Sequence, residues 1–254
     1  MKTNPTGFKY ILIAILTLVG DATFAQTIFK TGDEFQRQVI TKSNCVLQRG
    51  SQALHIGSVS NITKTYRVTD ATEKGASFII ITNKLTDTIN AMDQVLIYNS
   101  GKPADPNSSI QTGLQKMVNA QALVYANNKG EIVNLKHPVP ASDTLLSFTG
   151  IQPERFTPGS TLQFMANFPI SPALKKGYSW TDTSPTAETS YTIYAVTART
   201  TTITYKTNIL GGNLNSRING SILIDNNTGV ILKRYAQSVS TGYEIVNGIV
   251  YTAT

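Results

Sequence analysis

The side chains that most often carry protein chemistry are scarce in this chain. It has two histidines, His55 and His137, and one cysteine, Cys45. Together they are too few to close a structural zinc site, which takes four ligands. No His-x-x-x-His or Cys-x-x-Cys spacing occurs, and there is no Gly-x-Ser-x-Gly elbow, Walker A loop or Gly-x-Gly-x-x-Gly turn. Asp33-Glu34 is the only adjacent acidic pair, so a carboxylate couple of the glycosidase kind cannot be named. A calcium loop around Asp225 would need more oxygen ligands than its neighbours supply. Trp180, the single tryptophan, reads as a core anchor before it reads as a stacking platform for a ligand. No catalytic, cofactor-binding or metal-ligating residue can be nominated, and no ligand-binding residue can be named. The expectation is a protein that binds rather than catalyses.

Charge and cysteine usage narrow the setting. The formal net charge is +7, with the bases dispersed and densest only at Lys175-Lys176 and Lys233-Arg234. No stripe of bases interleaved with aromatics marks a nucleic-acid surface. A lone Cys45 allows no internal disulfide, so stability must come from the core. Gly32-Asp33-Glu34-Phe35 is superficially similar to the loop of diguanylate cyclases but lacks its first glycine.

The elements that would position any site are β-strands. Residues 1–25 read as a cleavable signal peptide. Lys2 and Lys9 precede the short apolar run Tyr10 to Val19, and Thr23-Phe24-Ala25 ends in a small residue. The run is too short to span a bilayer comfortably. Gln26 would be the first residue of the mature chain, which would be secreted or periplasmic with no later membrane span.

After Gln26, Val, Ile, Thr and Tyr alternate through most of the chain. Thr65 to Leu85 aligns without a gap on Ser190 to Leu210, sharing Tyr66/Tyr191, Thr72/Thr197, Thr82/Thr207, Asn83/Asn208 and Leu85/Leu210. Ala122 to Val133 aligns on Ser221 to Leu232 through Asn-Asn-x-Gly. Internal similarity of this kind constrains a fold strongly and a function weakly. The pattern predicts a first β repeat over 26–136, a Pro-containing connector over 137–160 and a second β repeat over 161–254. Asn127 to Gly130, Asn226 to Gly229 and Val246-Asn247-Gly248-Ile249 are the hairpin signals. One short helix is expected at Ser108 to Asn119, capped by Ser108 or Ser109.

Several of these features resemble an uncharacterised family of secreted or periplasmic β-rich proteins of Gram-negative bacteria, a domain of unknown function. They are the Tyr98-Asn99-Ser100 segment, the Lys176-Gly177-Tyr178-Ser179-Trp180 lead-in and the closing Gly220 to Gly229 hairpin. The family commonly has Asp where this chain has Tyr178. The resemblance implies export and a β fold, and it implies no activity and no catalytic residue.

The fold class expected is all-β: two related antiparallel curved sheets or half-barrels, with one short helix in the first repeat. This architecture is similar, at fold level only, to periplasmic lipoprotein carriers. The function expected is an exported, non-enzymatic binding or envelope-associated protein, with no cofactor and no nucleic-acid partner. One alternative is a periplasmic carrier of a lipid or other apolar ligand, with Phe78, Ile80, Ile193 and Val196 as candidate walls. Another is a hydrolase with a dispersed site.

Overall fold

The computed structural model describes residues 29–136, 151, 154, 156–166, 175–246 and 249–254. Among them run twelve strands and one helix: β1 (Glu34–Arg49), β2 (Gln52–Thr72), β3 (Gly75–Ala91), β4 (Gln94–Asn99), α1 (Ser109–Met117), β5 (Gln121–Asn127), β6 (Ile132–Lys136), β7 (Ser179–Thr183), β8 (Ala187–Val196), β9 (Thr200–Ile209), β10 (Leu214–Asp225), β11 (Ile231–Val246) and β12 (Ile249–Ala253). All ladders are antiparallel, and the fold is β throughout with one short helix, as expected. The strands form one continuous 12-stranded sheet in the order β6-β5-β3-β2-β1-β12-β11-β10-β9-β8-β7, with β4 also on β3. The sheet does not close, because β6 and β7 end its path. The signal-peptide segment and His137 lie outside the described residues.

Alternation buries one face of this sheet. Tyr66, Val68, Phe78, Val124, Ile132 and Leu162 form the main apolar cluster, capped by Phe29. A second cluster of Ile62, Leu85, Tyr98 and Ile151 receives Leu114 of α1. The helix starts where Ser108 accepts a hydrogen bond from the Gln111 backbone N–H, satisfying a donor that the first turn leaves orphaned. It ends at Met117 with Val118 as its C-cap, and Asn119 just beyond takes a positive φ of 63°.

The hairpins β2–β3 and β8–β9 have the same register. Tyr66 pairs with Ile80 and Val68 with Phe78, while Tyr191 pairs with Tyr205 and Ile193 with Ile203. Each hairpin carries a bulge at the same place, between Val68 and Asp70 and between Ile193 and Ala195. A bulge inserts one residue and changes which face the following side chains take. Strict alternation would set Val196 outward. Past the bulge it pairs with the inward, buried Thr201, although at the strand end Val196 stays exposed.

The match continues into the flanking strands. Gly32 and Gly177, with φ of 94° and 89°, each donate to the carbonyl of the residue before the bulge, Val68 and Ile193. Each sits in a turn closed by a backbone bond, Asp33 N–H to Lys30 O and Tyr178 N–H to Lys175 O. Thus Gly32-Asp33-Glu34-Phe35 is the lead-in turn to β1, the counterpart of Gly177 to Trp180.

At the far end the alignment needs one adjustment. Register sets Asn127 opposite Gly75 and Asp225 opposite Thr200, so Asn127 corresponds to Asp225, not to Asn226. The second loop is one residue longer. Both side chains organise their loops: Asn127 Oδ1 accepts from the Lys129 and Glu131 N–H groups, and Asp225 Oδ1 from those of Asn227 and Thr228. Gly130 and Gly229 follow at φ of 76° and 71°.

Two features join the halves. β12 lies between β1 and β11, pairing Ala253 with both Leu47 and Gly242. The segment 156–166 crosses from the β5–β6 turn to the β10–β11 turn. Leu162 donates to Gly130 O, Ala166 donates to Gly229 O, and Ile231 donates to Phe164 O.

Candidate binding face

Shared register gives positions in the second half a counterpart in the first, and the inward side chains can be compared row by row. The first row reads Phe35, Tyr66, Ile80, Ala122 across β1, β2, β3 and β5. Its counterpart reads Trp180, Tyr191, Tyr205, Gly220 across β7, β8, β9 and β10. The second row reads Val68, Phe78, Val124, Leu135, and its counterpart reads Ile193, Ile203, Ile222, Arg234.

In the first half these rows make a filled core. Phe164 drops into it from the connector, stacking on Phe35 with centroids 4.9 Å apart and lying 4.9 Å from Tyr66. Tyr66, Phe78 and Val124 have no exposed surface. Of the candidate walls for an apolar cavity, Phe78, Ile80 and Ile193 are core residues.

Tyr66 is kept as Tyr191, and Val68, Phe78 and Val124 are replaced by isoleucines; at the other four positions Phe, Ile, Ala and Leu give way to Trp, Tyr, Gly and Arg. Trp180 stacks on Tyr191 at 5.0 Å and 15°, and Tyr205 continues the series at 6.1 Å. The Gly220 substitution has a steric reason. A Cβ there would collide with the Tyr205 ring and with the Tyr235 carbonyl, so the glycine lets Tyr205 lie flat across β10. Among the described residues, the connector contributes Ala166 to this cluster. Burial pushes the Tyr191 and Tyr205 hydroxyls above their ordinary range.

Arg234 projects from β11 beside Ile222 and is exposed. It makes no hydrogen bond or ion pair among the described residues. Surrounding protein pulls its pKa below the ordinary value; the Tyr205 and Tyr191 hydroxyls oppose this, and the Arg37 charge adds to it. Arg37, on the inward face of β1, donates to Gln163 Oε1 of the connector. Behind it, Lys64 contacts Glu154 at 3.0 Å, and the Tyr66 hydroxyl donates to the same carboxylate oxygen at 2.5 Å. Burial, and then the negative Glu154, raise the Tyr66 hydroxyl far above its usual range. Three bases, Arg37, Lys64 and Arg234, therefore meet two acids, Glu154 and, close enough to act on Tyr191, Asp182. Such a face suits an anion, which an arginine can hold with two parallel N–H bonds.

The residues screened in sequence fall elsewhere. His55 is exposed on β2. Cys45 is half-buried on β1, its thiol raised by burial and then by Glu244. Among the described residues no cluster of three or more His, Cys, Asp or Glu could hold a metal, and no helix is long and apolar enough to cross a membrane. Arg37 and Tyr205 are not singled out in sequence, and Arg234 appears there only as half of the Lys233-Arg234 pair. The available signal was the alignment of Ala122 to Val133 on Ser221 to Leu232, which two residues further on sets Leu135 against Arg234. Comparison with family models, curated proteins and solved structures finds no match.

Proposed function

We propose that this is an exported, non-enzymatic binding protein built from two copies of one β unit. The first copy serves as scaffold, and the second carries a face for an anionic ligand. The observation that carries this reading is the set of replacements at matched register, above all Arg234 where the first half has Leu135. Residues that merely fill a core would keep its apolar character. Here an arginine, a tryptophan and a tyrosine come together where the counterpart is packed shut. The signal-peptide pattern over 1–25 and the family resemblance support export. The lipid-carrier reading has less support, because the middle of the inward face carries hydroxyls: Thr41, Ser43, Ser58, Ser60, Ser216 and Ser240.

Trp180 is the only tryptophan, so its fluorescence reports on this face without labelling. Citrate and inorganic phosphate should change its emission saturably, and a neutral polyol should not. Arg234→Leu, which restores the first half's residue, should weaken the response about tenfold, the scale of one charge-assisted contact. An unchanged citrate response in Arg234→Leu would remove Arg234 from the site.

A further inference from the structure

Among the described residues, no strand lies between β1 and β11 over the middle of their length. β12 separates them at one end, but its ladder reaches only Leu47 and Gln48 on β1 and Gly242 to Val246 on β11. Thr254 adds one further pair of backbone bonds, to Val46. At the other end the connector separates them. The Phe164 carbonyl accepts from Ile231 N–H at the start of β11, its ring stacks on Phe35 at the start of β1, and Gln163 binds Arg37. Between these closures, Arg37 to Cys45 and Leu232 to Thr241 have no strand beside them on the facing edges among the described residues. No backbone bond to either edge occurs among the described residues.

The result is a slot bounded on all four sides, spanned at each end by a single segment of chain. It is roughly nine residues long, on the order of 30 Å at the rise of a strand. β1 and β11 are both antiparallel to β12 and so run the same way. Continuing the β12 register would bring Val39 level with Arg234, Thr41 with Ala236, Ser43 with Ser238 and Cys45 with Ser240. These inward side chains are mostly small, which leaves room for those of an inserted chain. From Leu232 to Val239 every residue of β11 is exposed, as expected of an edge that no described residue covers.

We infer that this slot accepts an extended acidic peptide as an added strand, antiparallel to β1 and β11 and in line with β12. The unpaired N–H and C=O groups of both edges supply the affinity, the usual basis of strand addition. Charge supplies the selectivity. Arg37 and Arg234 flank the inward side near the connector, and Lys42 and Lys233 lie on the outward faces of the same two strands. The same basic side chains deter self-pairing of these edges. The inference rests on the anion-binding reading of Arg234 and names its occupant: a glutamate or aspartate carried on a strand.

The test uses the full chain and a synthetic seven-residue Thr/Val peptide with one central Glu, read by amide hydrogen exchange and Trp180 emission. Binding should protect amides of Arg37 to Cys45 and of Leu232 to Ser240. It should weaken about tenfold in Arg234→Leu or when the peptide carries Gln, and vanish when alternate peptide nitrogens are methylated. Binding that tolerates N-methylation and protects neither strand would overturn strand addition while leaving the anion face standing. So would a citrate response with no peptide binding at all. Protection at β6 or β7 instead would show that an outer edge, not the slot, is the acceptor. Protection that already depends on protein concentration without peptide would identify a second copy as the occupant and overturn the acidic-peptide assignment. Silence to both citrate and peptide would remove both readings.

Discussion

Asp87 is the least comfortable residue in the molecule. It sits on β3 opposite Ser60 and is 1 % exposed, and neither carboxylate oxygen has a hydrogen-bond partner among the described residues. Ser60 Oγ beneath it is likewise unpartnered. Burial raises the Asp87 pKa to about 7; the Thr88 backbone N–H opposes this but is too poorly placed to form a hydrogen bond. With the folded pKa above the unfolded one, the native state binds the extra proton. Stability is therefore unaffected below the unfolded pKa, falls as pH rises toward 7, and stays reduced above it. Asp87→Asn keeps the shape and removes the ionisation. It should stabilise the fold by roughly 2 kcal/mol or more at pH 8 and change little at pH 4, as thermal melts at the two pH values would show. An equal effect at both would mean that Asp87 is already ionised and solvated in the native state.

At the scale of elements, the matched bulges and lead-in turns explain how two dissimilar stretches of sequence adopt one hairpin geometry. Gly32 and Gly177 both hold a left-handed φ, and a Cβ on either would meet nothing within 4 Å. Substitution by alanine would then cost only backbone strain, about 1 kcal/mol at each site. Urea denaturation of Gly32→Ala and Gly177→Ala should give losses equal within error. A much larger loss at one site would mean that the two turns do different structural work. Gly220 is a different case, since its neighbours, not its backbone angles, exclude a side chain.

At the scale of the whole molecule, the halves are joined among the described residues by a short ladder, a crossing segment and the packing of Val230 against the Phe78 cluster. The clusters centred on Phe78 and on Ile222 are separate. Deleting residues 249–254 removes β12 and with it the only ladder linking β1 to β11 among the described residues. The truncated chain should lose its single cooperative melt and show two calorimetric transitions, one for each half. An unchanged single transition would assign the coupling to the connector through Phe164 and Ala166.

The sequence alone determined the strands, the helix, the turns and the pairing of two hairpins. Each depends on local pattern: Thr/Val/Ile/Tyr alternation, Ser108 before an apolar period, Asn and Gly where φ turns positive. It also determined the poverty of catalytic side chains, which is a matter of composition. Tertiary structure decided what pattern could not. Whether two β units stand apart or share one sheet depends on the pairing of Leu47 with Ala253, a contact across some two hundred residues that leaves no periodic trace. The bulge reversed the faces of Ala195 and Val196, because one inserted residue changes the parity of everything after it. Arg234 reads in sequence as half of a surface Lys-Arg pair. Only the register that sets it opposite Ile222, beside Tyr205 and near Arg37, makes that residue the centre of the proposed anion site.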